Sequence, residues 1–118
     1  MEVATARREA RISLKHSVEI ADQIRYKPLG KAIQYVERLI DKKISLPNGK
    51  YYTKAAKEFL FLLNNVKANA EAKGLNVEKI RIKELKVNQG YRFIKPKSRA
   101  RFRGRKAKLC YLEVVVGE

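Results

Sequence analysis

The feature that most constrains this fold is a change of hydrophobic period at Gly74. Before it, Ala55, Ala56, Phe59, Leu60, Leu63, Val66 and Ala70 recur at helical spacing. That stripe predicts a long amphipathic helix with Thr53 as its cap and Gly74 as its stop. Phe61 and Leu62 lie beside it, so the apolar arc is wide and the helix should be central. Beyond Gly74 the period becomes two. Ile80 and Ile82 alternate, and Leu85 and Val87 continue one step out of phase, which a bulge near Lys83-Glu84 would reconcile. Leu109 to Val116 is a second β-forming run, able to pair with the first as an antiparallel arm. A helix followed by paired strands belongs to an α+β fold.

The rest of the chain completes it. In Val3 to Ile12, Ala4, Ala6, Ala10 and Ile12 fall on one side, with Arg8 as the exception. Thr5, Arg7, Glu9 and Arg11 fall on the other, as in a half-buried strand with a basic outer face. Ser13 reads as a helix N-cap, followed by Leu14, Val18, Ala21 and Ile24 at helical spacing. Pro28, tolerated in a first helical turn, precedes a further stripe of Leu29, Ala32, Ile33, Val36, Leu39 and Ile40. Pro47-Asn48-Gly49 marks a loop. The expected architecture is three helices on a small antiparallel sheet in one domain, residues 1–118, with a long basic hairpin whose tip spans 88–108.

Charge narrows the function. Lys and Arg total 28 against 12 acids, a net charge of +16 on 118 residues. Such an excess opposes compaction unless a polyanion binds. Nucleic acid is the first candidate and an anionic membrane surface the second. No stretch approaches the roughly 20 apolar residues of a membrane span, so no membrane insertion is expected. The N-terminus carries Glu2 and Glu9 among its arginines and no apolar core segment, so no signal peptide is expected. The single cysteine, Cys110, excludes an internal disulfide and reads as a buried structural thiol in an intracellular chain.

The excess is concentrated. Lys86 to Lys108 holds ten basic residues and no acid, between two strand-forming runs. Arg99, Arg101, Arg103 and Arg105 alternate with Ala100, Phe102 and Gly104, which in extended backbone puts four guanidiniums on one side. Each is a planar fork of donors matched to phosphate oxygens. Tyr91, Phe93 and Phe102 add faces able to stack on bases. No catalytic set accompanies them. His16 and Cys110 are far apart in sequence, zinc sites usually need four N/S ligands, and Gly104-Arg105-Lys106 lacks the elements of a P-loop. Neither a cofactor nor an enzymatic activity is expected, and His16 reads as a phosphate or surface contact.

Several motifs, taken in order, resemble the large-subunit ribosomal protein L-twenty-two family, whose archaeal and eukaryotic counterpart carries the number seventeen. Ala10-Arg11-Ile12-Ser13-Leu14-Lys15-His16 resembles the family's strand-to-helix entry, with Leu14 where a proline is usual. Asn69-Ala70-Glu71 with Lys73-Gly74-Leu75 resembles the end of its long helix in archaeal style. Val87-Asn88-Gln89-Gly90 resembles the turn into its hairpin, and Val114 to Glu118 its closing strand. Pro96-Lys97-Ser98-Arg99-Ala100-Arg101-Phe102 keeps the basic positions of the family's tip, with Ala100 in place of its glycine.

The resemblance implies a cytoplasmic protein that binds large-subunit rRNA beside neighbouring ribosomal proteins, supports subunit assembly, and lines the nascent-polypeptide exit tunnel with its hairpin. It assigns rRNA contacts to Arg92, Lys95, Lys97, Arg99, Arg101, Arg103, Arg105, Lys106 and Lys108 on the hairpin, and to Arg7, Arg8, Arg11, Lys15 and His16 on the body. Pro96, Ser98, Ala100 and Phe102 would face the tunnel. The alternative is a free-standing basic RNA-binding or nucleic-acid chaperone module.

Overall fold

The computed structural model describes residues 3–95 and 105–118. Strand β1 (Val3–Ala10) leads into helices α1 (Leu14–Ile24), α2 (Leu29–Ile40) and α3 (Thr53–Ala72), then strands β2 (Arg81–Lys95) and β3 (Arg105–Gly117). The sheet order is β1-β3-β2, with both outer strands antiparallel to β3. This is the expected α+β fold. Its core is one cluster in which α3 packs on α2, β1, β3 and α1. Phe59, Leu62, Leu63 and Val66 of α3 are fully buried, facing the inward side of a sheet carrying Ala4, Ala6, Leu112, Val114 and Val116.

The phase slip in β2 has the expected cause. Ile82 is opposite Val116 and Glu84 opposite Val115, so Lys83 is the extra residue of a bulge. Ile82 and Leu85 can therefore both face the core. Gly74 ends α3 as expected: at φ +78 it lets its own N–H reach Glu71 O at 3.0 Å and the Leu75 N–H reach Ala70 O at 3.0 Å. This 6→1, 5→2 pair satisfies carbonyls that the helix end would leave open.

Two expectations are corrected. Thr53 does not cap α3, because it is already the first helical residue. The cap position belongs to Tyr52, in the left-handed region at φ 44, with no side-chain cap bond; its carbonyl accepts the first helical N–H, from Ala56. In α1 the buried face is Ser17, Ile20, Ala21 and Ile24, while Leu14 and Val18 are 38% and 40% exposed. At 100° per residue Leu14 and Val18 fall on the flank of that face. Ser17 can occupy the centre because its hydroxyl donates to Ser13 O at 2.8 Å. Ser13 itself is the expected N-cap, its side chain accepting from the His16 N–H.

Both borders of the sheet are partly covered within the body. Along β1, Asn69 Nδ2 and Lys73 Nζ donate to the carbonyls of Thr5 and Val3, each at 2.8 Å. On the other side, the link between α1 and α2 lies along the β2 region: Leu29 N–H donates to Ile80 O, Ile82 N–H to Lys27 O, and Arg25 Nη2 to Leu85 O. Past the Gln89–Cys110 pair, where β1 ends, β2 and β3 continue as a two-stranded arm. The molecule extends over 57 × 31 × 17 Å with a radius of gyration of 16.1 Å, against about 13 Å for a compact chain of 100 residues.

Candidate nucleic-acid interface

The body cations occupy three environments. Arg7 points from the open face of the sheet and pairs with Glu113 at 2.6 Å, its side chain still 67% exposed. Arg8, one residue on, faces α3, where it pairs with Glu58 and lies 4.0 Å over the Phe61 ring. Strand alternation thus sends adjacent arginines to opposite sides of β1. Arg11 and Lys15 are exposed at the turn into α1. His16 is half-buried and stacks on Tyr52, with ring centroids 3.8 Å apart and planes 9° apart. Asn48 Nδ2 donates to the Tyr52 hydroxyl at 3.0 Å and to Glu19 at 2.8 Å. Desolvation, then the nearby Glu19 carboxylate, pushes the Tyr52 phenol up. Arg11, Lys15 and His16 therefore share one region, and Arg7 and Arg8 lie elsewhere.

The hairpin shows a different arrangement. A second register shift between Gln89 and Arg92 adds a residue to β2, after which pairing resumes. Arg92 is then opposite Lys108, and Lys95 opposite Arg105. Phe93 and Ile94 are opposite Ala107 and Lys106. Like charges directly across an antiparallel pair destabilise it, by roughly 0.2–1 kcal/mol each. A hairpin in this register gains from a polyanion that neutralises both members of each pair. Lys97, Arg99, Arg101 and Arg103, and the tip residues Pro96, Ser98, Ala100 and Phe102, lie outside the described residues.

Sequence reading missed the acids that engage the body cations. Glu113 accepts Arg7 and sits 3.9 Å from Lys86, and Glu58 accepts Arg8. No local pattern announces pairs so far apart in the chain.

The remaining chemistry is sparse. Cys110 is buried and its thiol donates to Ile12 O at 3.1 Å. Burial pushes this thiol up, and the neighbouring Ser17 hydroxyl opposes the shift only in part. The thiol of the unfolded chain then ionises first, so stability should fall as pH rises above the ordinary thiol range and be unaffected below it. Alkylation of Cys110 by a small reagent at pH 8 should be slow in the folded chain and become rapid in denaturant. Equal rates would show that the thiol is accessible. Among the described residues, no three His, Cys, Asp or Glu side chains gather as a metal site, and no helix is long and apolar enough to cross a membrane. An open cavity of about 230 Å³ lies between α1 and the loop before α3, lined by Glu19, Asp22, Gln23, Leu46, Pro47 and Asn48. It is smaller than the roughly 300–1,000 Å³ of ordinary ligand pockets, and its two carboxylates do not suit a phosphate.

Residues 5–117 match the family model described as Ribosomal protein L22p/L17e. The chain is similar to the large ribosomal subunit protein uL22 of Thermoplasma acidophilum, at 40% identity over 94% of this chain and 85% of that protein. The same protein of Methanocella arvoryzae is 37% identical over 93% of this chain and 85% of its own length. That of Methanococcus aeolicus is 37% identical over 71% and 67%.

Proposed function

Because the chain belongs to the ribosomal protein L22p/L17e family, we propose that it is a structural, non-catalytic constituent of the large ribosomal subunit, holding rRNA through its hairpin and supporting assembly. The observation that carries this reading is the cross-strand register of like charges, Arg92 with Lys108 and Lys95 with Arg105. Bound phosphates would turn that repulsion into attraction. On the hairpin, Arg92, Lys95, Lys97, Arg99, Arg101, Arg103, Arg105, Lys106 and Lys108 are the proposed rRNA contacts. On the body they are Arg8, Arg11, Lys15 and His16; Arg7, expected among them from the sequence, is held by Glu113 on the open face of the sheet and is left out of the set. Arg11 and Lys15 are the exposed cations at the turn into α1. Arg8 would have to act while paired to Glu58.

The second part of the proposal concerns the tip. At about 3.3 Å per residue, residues 88–98 alone can extend roughly 35 Å beyond the body. A hairpin threaded that far into RNA has its tip at the interior. Pro96, Ser98, Ala100 and Phe102 would face the nascent polypeptide in the exit tunnel while the alternating arginines hold phosphate. Two measurements test the reading. The cellular protein should cosediment with large subunits through a high-salt wash, and release into the light fractions would favour a free-standing RNA-binding module. A photocrosslinker at Phe102 in stalled ribosomes should label nascent chains; labelling of rRNA alone would make Phe102 an RNA-stacking residue and end the tunnel assignment.

A further inference from the structure

The sheet has two faces, and the helices cover only one. The other is built from rows that run across all three strands. Arg7, Glu113 and Lys86 form one row, Thr5, Val115 and Glu84 a second, and Glu9, Tyr111 and Asn88 a third. A fourth is Val3, Gly117 and Arg81. Their charges cancel: Arg7, Lys86 and Arg81 stand against Glu9, Glu84 and Glu113. On a chain of net charge +16 this is a departure.

The cancellation has a geometry. Glu113 lies on the central strand, 16% exposed, between Arg7 at 2.6 Å and Lys86 at 3.9 Å. A phosphate approaching either cation would meet this carboxylate, and Glu84 and Glu9 lie in the rows on each side of it. Along the same strand, Tyr111 and Val115 are half-buried. The face therefore has an aromatic and aliphatic centre line, with charges already paired around it. Protein interfaces favour aromatic residues at the core and polar residues at the rim, whereas surfaces that bind nucleic acid are strongly positive. Side chains of α3 take up the Val3 and Thr5 carbonyls on one border, and the α1–α2 link lies along the other, so the face itself is the broader surface for a partner.

We propose that the open face of the sheet, centred on Tyr111 and Val115, docks a neighbouring protein with an apolar centre and little net charge, and does not bind RNA. This rests on the placement of the chain in the large subunit. It also assigns Arg7 to holding Glu113 rather than to phosphate. Three strands at about 4.8 Å and roughly seven residues at 3.3 Å give on the order of 300 Å², below the roughly 800 Å² per partner of a stable free-standing complex. The contact thus belongs to the assembled particle.

The test places p-benzoylphenylalanine at Tyr111, and in a second variant at the exposed Thr5, in cells whose large subunits are then purified and irradiated. The expected product in both variants is the same ribonuclease-resistant adduct with one ribosomal protein, its crosslink mapped to an apolar segment by mass spectrometry. Crosslinks to rRNA, or none from either position, would overturn the docking assignment while leaving the chain a subunit component. Absence of both variants and the parent chain from the subunit would overturn the placement and the docking face together. If only the Tyr111 variant is lost, the Thr5 variant decides.

Discussion

Replacing Tyr91–Lys106 with a short turn is expected to leave a cooperatively folding domain and to abolish most affinity for rRNA. Among the residues whose burial is described, β1, the three helices and their links, Ile80 to Leu85 and Cys110 to Val116 supply the core cluster. Both borders of the sheet are pinned by residues of the body, from Arg25 to Leu29 on one side and at Asn69 and Lys73 on the other. Excision also removes the opposed Lys95 and Arg105 and one member of the Arg92–Lys108 pair, so the midpoint of denaturation should be unchanged or slightly higher. Binding should behave in the opposite way. If the intact chain neutralises about six to ten phosphates, its affinity for rRNA fragments falls by about 10³ to 10⁵-fold between 50 and 200 mM salt. The shortened chain should bind weakly with a much flatter dependence. A shortened chain that fails to fold would place the hairpin in the core, and a flat salt dependence in the intact chain would contradict an electrostatic mechanism.

Truncating Phe59 to alanine should cost about 3–5 kcal/mol, the range for large aromatic side chains in cores. Phe59 is fully buried in α3 and belongs to the single core cluster joining helices to sheet. Small domains have only about 5–15 kcal/mol of total stability, so this one change should take much of it. The neighbouring aromatic is the control. Phe61 is 48% exposed and carries the Arg8 guanidinium on its face. Phe61→Ala should cost only on the order of 1 kcal/mol, from a partly exposed cation–π contact. Urea denaturation of both variants measures the contrast. Equal losses would mean that the helix is rotated from the orientation described.

The same pair shows what the sequence could and could not reveal. Phe59, Leu60, Phe61, Leu62 and Leu63 are five consecutive apolar residues, and periodicity alone does not say which edge of the arc is buried. The expected face included Leu60; the structure buries Leu62 fully and Leu60 only in part. In α1 the error had a different origin: a buried serine, Ser17, satisfied within its own turn, breaks the rule that apolar residues mark the inward face. The features read correctly are those with a local geometric cause. The phase slip at Lys83 became a bulge, and Gly74 supplied the left-handed residue that ends α3. Ser13 capped α1 through its own side chain. The candidate interface was legible as composition, since ten cations without an acid need no coordinates to be noticed. Their opposition across the hairpin was not, because it depends on the second register shift, between Gln89 and Arg92. Nor were the acids held by Arg7 and Arg8, which come from distant elements brought close only by the fold.

The partly covered borders of the sheet also affect the chain before it reaches any partner. An unprotected strand edge is a template on which a second copy can add, and repeated addition leads to fibres. Here Asn69, Lys73 and the Arg25–Leu29 link occupy part of those positions in the body. The arm that projects beyond them carries charge of one sign from Lys86 to Lys108, so two copies repel where their backbones could otherwise pair. Both features disfavour pairing between newly made molecules, and the arm selects a polyanion over its own kind.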